Sequence, residues 1–133
     1  MAKGFIQRKA SWEILLKVSS GMYSDHALEK VIKNYKFNSL DIAFITELSY
    51  GCIRYRNLLD LWIDHTSKVS HKKQPPKLRW LLHIGLYQLL KMNKIPFSAA
   101  ISSTVEVAKR SDLKGLTGTV TVSYTHLTLP TKA

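Results

Sequence analysis

Apolar residues recur at spacings of three and four through the stretch from Asn38 to Tyr55, and this is the period of an α-helix. Ile42, Ile45 and Ile53 make the apolar face wider than a surface helix needs, which predicts burial on more than one side. We therefore expect this stretch to be the central helix of the domain. Its main apolar face consists of Leu40, Phe44, Leu48, Gly51, Cys52 and Tyr55.

A glycine inside that apolar face predicts a close contact. Glycine costs roughly 1 kcal/mol relative to alanine in a helix interior, so a close helix crossing at Gly51 would offset its presence. At the start of the helix, Asn38 or Ser39 is expected to act as the cap. Asp41 lies in the first turn, where a negative charge favours the positive end of the helix dipole.

The same period predicts helices on both sides, and together they give an all-α domain, a bundle of about six helices. The first helix is expected to end at Gly21, since glycine tolerates the left-handed conformation that closes many helices. Ser24 is expected to cap the second helix. After Tyr55 the apolar positions continue, with a bend predicted near Arg56 and Asn57 that separates a fourth helix from the third.

A polar stretch at residues 66–74 loses the helical period and predicts a loop. Pro75 and Pro76 end it, since proline suits the first position of a helix, and a deeply buried fifth helix is expected to follow. Ser98 is expected to cap the sixth helix, after a break at Pro96. The buried face of this last helix is predicted to be Ile101, Val105 and Ala108.

The character of the chain changes after Leu116. Residues 117–133 are rich in threonine, contain no acid and alternate in polarity, as a β-strand does. In an otherwise helical chain, a lone strand would have no partner for its backbone hydrogen-bonding groups. We therefore place the helical domain at residues 1–116 and an atypical tail at 117–133. Two interpretations stay open: a disordered tail, or residues translated from foreign DNA, with the authentic sequence stopping near residues 117–120.

Composition narrows the class of protein. The 133 residues carry 20 Lys and Arg against 9 Asp and Glu, for a net charge of +11. Such a balance favours a polyanionic partner, nucleic acid first and an anionic membrane surface second, although a basic but inert surface is the alternative. A single cysteine excludes an internal disulfide, and no apolar run reaches 18 residues, so we expect a cytoplasmic protein without a membrane segment.

The residues that could act in catalysis do not form a recognisable active-site motif. The five histidines lack the spacing of a metal site, and no glycine-rich fingerprint for a cofactor is present. Cys52 lies on the apolar face and is interpreted as a buried structural residue. His83 is interpreted as a partly exposed residue of the fifth helix. No catalytic residue, bound cofactor or metal is predicted for this chain.

Basic residues near helix ends are the candidate RNA-binding groups. Arg54 and Arg56 flank Tyr55, so that arginines able to hold phosphate oxygens stand beside a ring able to stack on an unpaired base. The alternative is that cations near helix ends only complement the helix dipole. Trp12, Trp62 and Trp80 are more often core residues than stacking platforms. The complete candidate set is Lys3, Arg8, Lys9, Arg54, Arg56, Lys91 and Lys94.

Two motifs carry a family resemblance. The pattern F-x-T-E-L-x-Y-G-x-[IL]-R from Phe44 to Arg54, and L-x-x-G-L-Y-Q-L-L from Leu82 to Leu90, resemble the NusB-like N-terminal domain of bacterial 16S rRNA cytosine-5 methyltransferases of the Sun/RsmB type. The segments SDHALEKVIKNY and LRWLLHIGLYQLLKMNKIPFSAAISSTVEVAKR agree in order and spacing. The resemblance covers about residues 6–116, and the antitermination factor NusB is a more distant relative.

This resemblance implies an all-α, NusB-like fold that binds RNA, with 16S rRNA as the expected partner. In the full-length family a Rossmann-like domain follows, binding S-adenosylmethionine and carrying two catalytic cysteines. Nothing in these 133 residues corresponds to that domain, so the chain alone is not expected to be an enzyme. By position, Arg8 and Lys9 match the basic start of the first helix with which the antitermination relatives grip RNA.

The sequence departs from the family in two places. Ser102 and Ser103 stand where the family usually has Asn and Glu, and TGTVTVSYTHLTLPTKA replaces a final helix of the type FVNAVLR. A missing final helix would expose apolar faces of the fifth and sixth helices and allow self-association.

Three hypotheses follow for the function of the chain. The leading one is the RNA-binding, substrate-positioning domain of an rRNA (cytosine-C5)-methyltransferase that lacks its catalytic domain. The alternative is a stand-alone antitermination factor that binds RNA together with a protein partner. A structural helical module without a role in nucleic-acid binding is third.

Overall fold

The structure is a computed structural model that describes residues 4–66, 75–118 and 120–121. Within these ranges it contains six α-helices and no strand, which confirms the all-α prediction. The helices are α1 (Phe5–Ser19), α2 (Ser24–Ile32), α3 (Ser39–Arg54), α4 (Arg56–Thr66), α5 (Pro76–Lys91) and α6 (Phe97–Lys109), and a short 3-10 turn follows at Lys114–Leu116.

The ends of several helices follow from local sequence. Asn38 caps α3 through a reciprocal pair: its side chain accepts from the Asp41 backbone N–H at 2.8 Å, and the Asp41 carboxylate accepts from the Asn38 N–H at 3.4 Å. Gly21 adopts a φ of 112° just beyond α1, where it can be left-handed without a Cβ penalty. Pro76 is the first residue of α5, and a break at Tyr55 separates α3 from α4, as predicted.

Two predicted caps were wrong. Ser24 and Ser98 lie inside their helices, because α2 is preceded by Tyr23 and α6 by Pro96, and neither preceding residue makes a side-chain capping bond. The extended backbone of Tyr23 and Pro96 is sufficient to start these helices. The predicted loop at residues 66–74 lies almost wholly outside the described residues.

The centre of the bundle is α5 rather than α3. Every residue from Trp80 to Gln88 is buried, and α5 packs against α1, α3, α4 and α6. The predicted central helix, α3, is one of its neighbours, and Leu40 at the start of α3 is 79% exposed. A wide apolar face thus predicted burial correctly at Ile45, Leu48 and Cys52, but the first turn of α3 extends past the core.

Glycine 51 provides the close contact between α3 and α5. A Cβ built on Gly51 would overlap the ring and hydroxyl of Tyr87, a buried side chain of α5. The predicted close approach is therefore confirmed, with an aromatic side chain rather than the backbone as the neighbour. It lets the Tyr87 ring lie directly on the helix surface of α3.

The outer face of α6 is only partly covered. Ile101 and Val105, predicted to be buried, are half-buried and line an open groove of about 470 Å³ together with Phe97. The buried face instead carries Ala100, Ser103, Thr104, Val107 and Ala108. Ser103 satisfies its buried hydroxyl by donating to the Ala99 carbonyl at 2.6 Å.

Helical backbone continues into the segment predicted to be a tail. Residues 117–118 and 120–121 are helical, and Val120 is fully buried in the main core with residues of the other helices. Alternating polarity was therefore a poor guide to the first residues after Leu116. Residues 122–133 lie outside the described part of the chain, and the domain boundary at 116 stays a prediction.

Candidate nucleic-acid interface

The C-terminal ends of α3 and α5 meet at a cluster of aromatic and basic side chains. Tyr87 lies on Gly51, and the Tyr55 ring lies beside it with ring centroids 6.2 Å apart and planes tilted by 32°. Tyr87 is buried, whereas Tyr55, at the end of α3, is only half-buried. The close approach at Gly51 therefore fixes where the Tyr55 ring reaches the surface.

Two exposed cations lie against that ring. The Lys91 Nζ is 4.5 Å from the centroid of the Tyr55 ring, and the guanidinium carbon of Arg54 is 5.9 Å from it. We call Arg54, Tyr55, Tyr87 and Lys91 the Tyr55 cluster. Both cations stand in the last turn of a helix, where they also offset the negative end of the dipole.

Arg56 continues the basic surface from the cluster onto α4. It is exposed, and its guanidinium carbon is 5.5 Å from the ring centroid of Trp80. Within the described ranges no ion pair with a carboxylate neutralises Arg54, Arg56 or Lys91. Three cations on one surface without a paired acid are available to an anionic ligand.

One acid faces the same surface. The pKa of Tyr87 is raised, first by burial and then by the negative charge of Glu47, which is exposed on α3 one turn before Gly51. Glu47 therefore reduces the positive potential on one side of the Tyr55 cluster. At the Tyr55 cluster, Arg54 and Lys91 outnumber Glu47. On α4, the Asp60 carboxylate, which pairs with His83, lies one turn after Arg56.

Arg8, the strongest candidate by family resemblance, is a core residue. Only 8% of it is exposed, its Nε and Nη2 donate to the Gln88 side-chain oxygen at 3.0 and 2.8 Å, and its guanidinium carbon lies 4.6 Å from the ring centroid of Phe44. Burial lowers its pKa to about 10. Its Nη1 donates to the Gly4 carbonyl at 3.2 Å, so all three nitrogens of the guanidinium have a partner within the protein, and the phosphate contact by Arg8 stays a prediction.

The remaining basic candidates are not brought together. Lys9 is half-buried on α1, and Lys94 is exposed in the turn after α5, three residues beyond Lys91. Lys3 lies outside the described residues. The structure therefore places Arg54 and Lys91 beside the Tyr55 ring. Arg56 lies beside Trp80 near the start of α5, and Arg8 is buried against Gln88.

Sequence reasoning missed a buried ionisable pair. His83 is completely buried, its Nε2 is 2.9 Å from the Asp60 carboxylate, and its Nδ1 has no hydrogen-bond partner. Burial lowers the pKa of His83, and the interaction with Asp60 opposes that effect in part. The prediction of partial exposure was wrong because α5 is buried all round, a property already indicated by the apolar residues on every side of His83.

Cys52 agrees with its structural interpretation. It is fully buried, donates to the His83 carbonyl oxygen at 3.5 Å, and has a pKa raised by burial, so the reactive thiolate is disfavoured. Trp12 and Trp80 are core residues, and the Trp12 indole donates to the Lys77 carbonyl at 2.9 Å.

No group of three metal-binding side chains occurs in the part of the chain that the structure describes. The helices in the same ranges are also too short or too polar to cross a membrane.

The fold and this surface define a basic all-α domain whose candidate site is an exposed polyanion-binding surface rather than a catalytic pocket. The chain matches the NusB family over residues 6–120 and therefore belongs to the NusB family. This match confirms the resemblance carried by the two sequence motifs.

Several curated relatives have methyltransferase names. A Synechocystis protein named probable ribosomal RNA small subunit methyltransferase B is 38% identical over 98 residues, which cover 74% of this chain and 22% of the relative. A Bacillus subtilis protein of the same name is 33% identical over 110 residues, covering 82% of this chain and 24% of the relative. A putative methyltransferase from Mycobacterium tuberculosis is 38% identical over 102 residues, or 76% and 22% of the two chains.

The chain thus spans about a fifth to a quarter of the length of these relatives. It is homologous to their N-terminal, NusB-like part, and their catalytic part has no counterpart in these 133 residues.

Proposed function

We propose that this chain is the RNA-binding, substrate-positioning domain of an rRNA (cytosine-C5)-methyltransferase, with 16S rRNA as its partner in the cytoplasm. Its homology to proteins named ribosomal RNA small subunit methyltransferase B supports this role. Methyl transfer from S-adenosylmethionine belongs to the part of those relatives that this chain does not match.

The observation that carries the proposal is a set of three exposed cations that lie beside aromatic rings. Arg54, Arg56 and Lys91 are exposed and lie near aromatic rings, without a paired carboxylate among the described residues. Arginine offers two parallel donors to a phosphate, and lysine a point charge. Phosphate contacts of this kind hold RNA in a fixed position without reading its sequence, which is what a positioning domain requires.

Salt dependence tests this mechanism. Neutralising Z phosphates makes log K fall with log salt with a slope of about −0.7Z to −0.9Z. Binding of a 16S rRNA fragment, measured between 50 and 300 mM KCl, is expected to show such a slope. Replacing Arg54, Arg56 and Lys91 with glutamine is expected to reduce its magnitude by about 2–3.

The matched control removes three positive charges from another surface. Lys30, Lys33 and Lys36 are exposed on and after α2, and their replacement by glutamine is expected to change the slope much less. Salt-independent binding would contradict the proposal, as would equal losses in the two triple variants.

The alternative is an antitermination factor of the NusB type that binds RNA together with a protein partner. The match of residues 6–120 to the NusB family supports this alternative. A stable complex with a ribosomal-protein-like partner, formed by this chain without any methyltransferase domain, would support the alternative. Sequencing of the source gene past the codon for Ala133 distinguishes the two hypotheses. A reading frame that continues into a methyltransferase domain supports the methyltransferase hypothesis.

A further inference from the structure

We propose that Tyr55 is a stacking platform for one unpaired RNA base, with Lys91 and Arg54 holding the phosphates on either side of it. This inference rests on the proposed function and specifies its ligand as single-stranded RNA. The observation behind it is one half-buried aromatic ring with two exposed cations 4.5 and 5.9 Å from its centroid.

Packing against Tyr87 holds the Tyr55 ring in position. The Tyr87 ring is in close contact with Gly51, and the Tyr55 ring is tilted by 32° against it with ring centroids 6.2 Å apart. A ring held by packing loses little freedom when a ligand stacks on it, so the platform is preorganised. Tyr55 stays partly exposed, and the two cations near it are themselves exposed.

Relative magnitudes favour displacement of a cation from the ring by a base. A cation near an exposed aromatic ring contributes about 2- to 5-fold to an equilibrium constant. Stacking of a base on an aromatic ring contributes about 5- to 150-fold. A base is therefore able to replace Lys91 over the ring, and the released ammonium, on its flexible four-carbon stem, then turns to a phosphate oxygen.

Only an unpaired base presents a free face to such a ring. Bases inside a duplex already stack on neighbours on both sides, and an A-form duplex offers mainly its backbone and its shallow minor groove to proteins. A single strand instead brings alternating bases and phosphates, which match a ring with cations beside it.

The other accessible aromatic residues lack this arrangement. Tyr23 is highly exposed, but it precedes α2, whose first turn carries Asp25, an acid that repels phosphate. Trp62 lines an apolar groove of about 380 Å³ on α4 together with Leu58 and Leu61. Tyr55 is therefore the aromatic residue whose surroundings fit a nucleotide.

The test compares three 12-nucleotide RNA probes by fluorescence anisotropy at one salt concentration: a single strand, the same strand with its central bases removed, and a blunt duplex. The wild-type chain is expected to bind the intact strand about 5- to 150-fold more tightly than the abasic strand, which has the same charge. Tyr55→Leu is expected to lose that preference and keep its affinity for the abasic strand. Tyr55→Phe is expected to keep the preference, since it keeps the ring.

Lys91→Gln provides the matched comparison, because it is expected to weaken binding of all three probes by a similar factor. A preference for bases that survives in Tyr55→Leu would overturn the proposal, as would equal binding of the intact and abasic strands by the wild-type chain. The latter result together with a steep salt slope would leave the proposed function standing. Salt-independent binding, or none, would remove the proposed function itself.

A second measurement does not depend on a folded variant. Photo-cross-linking of the wild-type chain to a strand with 5-iodouridine at its centre is expected to give a cross-linked peptide that contains Tyr55. Cross-links confined to peptides without Tyr55 would also overturn the proposal.

Discussion

Replacement of Gly51 by alanine sets two effects of opposite sign against each other. Alanine in a helix interior is favoured over glycine by roughly 1 kcal/mol, so propensity alone predicts a more stable protein. In the structure, however, the added Cβ would overlap the ring and hydroxyl of Tyr87, which is buried and unable to swing into solvent freely. Overpacking of a core typically costs about 1–3 kcal/mol.

The overlap is expected to prevail, because the Cβ meets the hydroxyl end of a stiff aromatic ring that is buried and has little room to move. Gly51→Ala should therefore be less stable than the wild type by up to about 2 kcal/mol, the overpacking cost minus the gain in propensity. Urea unfolding followed by circular dichroism measures this difference at constant m-value.

Two further variants isolate the cause. Gly118→Ala, at a helical glycine where a Cβ would have no neighbour within 4 Å, is expected to be neutral or slightly stabilising. In the Tyr87→Leu background, Gly51→Ala should cost less than in the wild type, since contacting residues are energetically coupled. A Gly51→Ala variant at least as stable as the wild type would refute the reasoning.

Two other predictions concern buried and exposed charge. Arg8→Met should cost about 1–3 kcal/mol of stability in urea unfolding, because it leaves the buried Gln88 side-chain oxygen without its donor. The control, Lys9→Met, should change stability little. Equal effects of the two substitutions would contradict the core role of Arg8. The folded-state pKa of His83 lies below the unfolded value of 6.5, so the unfolded chain binds the proton more readily as the pH falls. The free energy of unfolding should therefore decrease between pH 7 and 5, by at most about 1.4 kcal/mol per pH unit from this group, and His83→Gln should lack that contribution. An unchanged pH slope in His83→Gln would show that other groups cause it.

Much of the fold was predictable because it depends on local and periodic signals. The positions of all six helices, the left-handed Gly21, the cap at Asn38 and the break at Tyr55 each follow from a few neighbouring residues. Gly51 was also identified from its place in an apolar face, where its cost needed a compensating contact. Local rules failed at Ser24 and Ser98, which lie inside helices that Tyr23 and Pro96 precede without a side-chain capping bond.

The sequence identified the basic residues of the candidate site, but it did not show which of them lie together in the structure. Arg54, Arg56 and Lys91 were all identified from the sequence, but the contact of Lys91 with Tyr55 depends on which helix ends meet. Arg8 looked like a surface residue because a basic residue near the start of a helix usually is one. Its burial requires Gln88, 80 residues away, and no periodicity reveals such a partner.

The sequence by itself determined the helices, the positive charge and the family. The helices depend on residues close together in the chain, the charge depends on composition, and the family is identified by motifs. Tertiary structure alone decided which helix is most deeply buried, which cations remain exposed and that His83 pairs with Asp60. The physical reason is that burial and pKa depend on contacts between residues far apart in the chain. Those contacts are fixed by packing, to which the fit of Tyr87 on Gly51 contributes as much as any hydrophobic pattern.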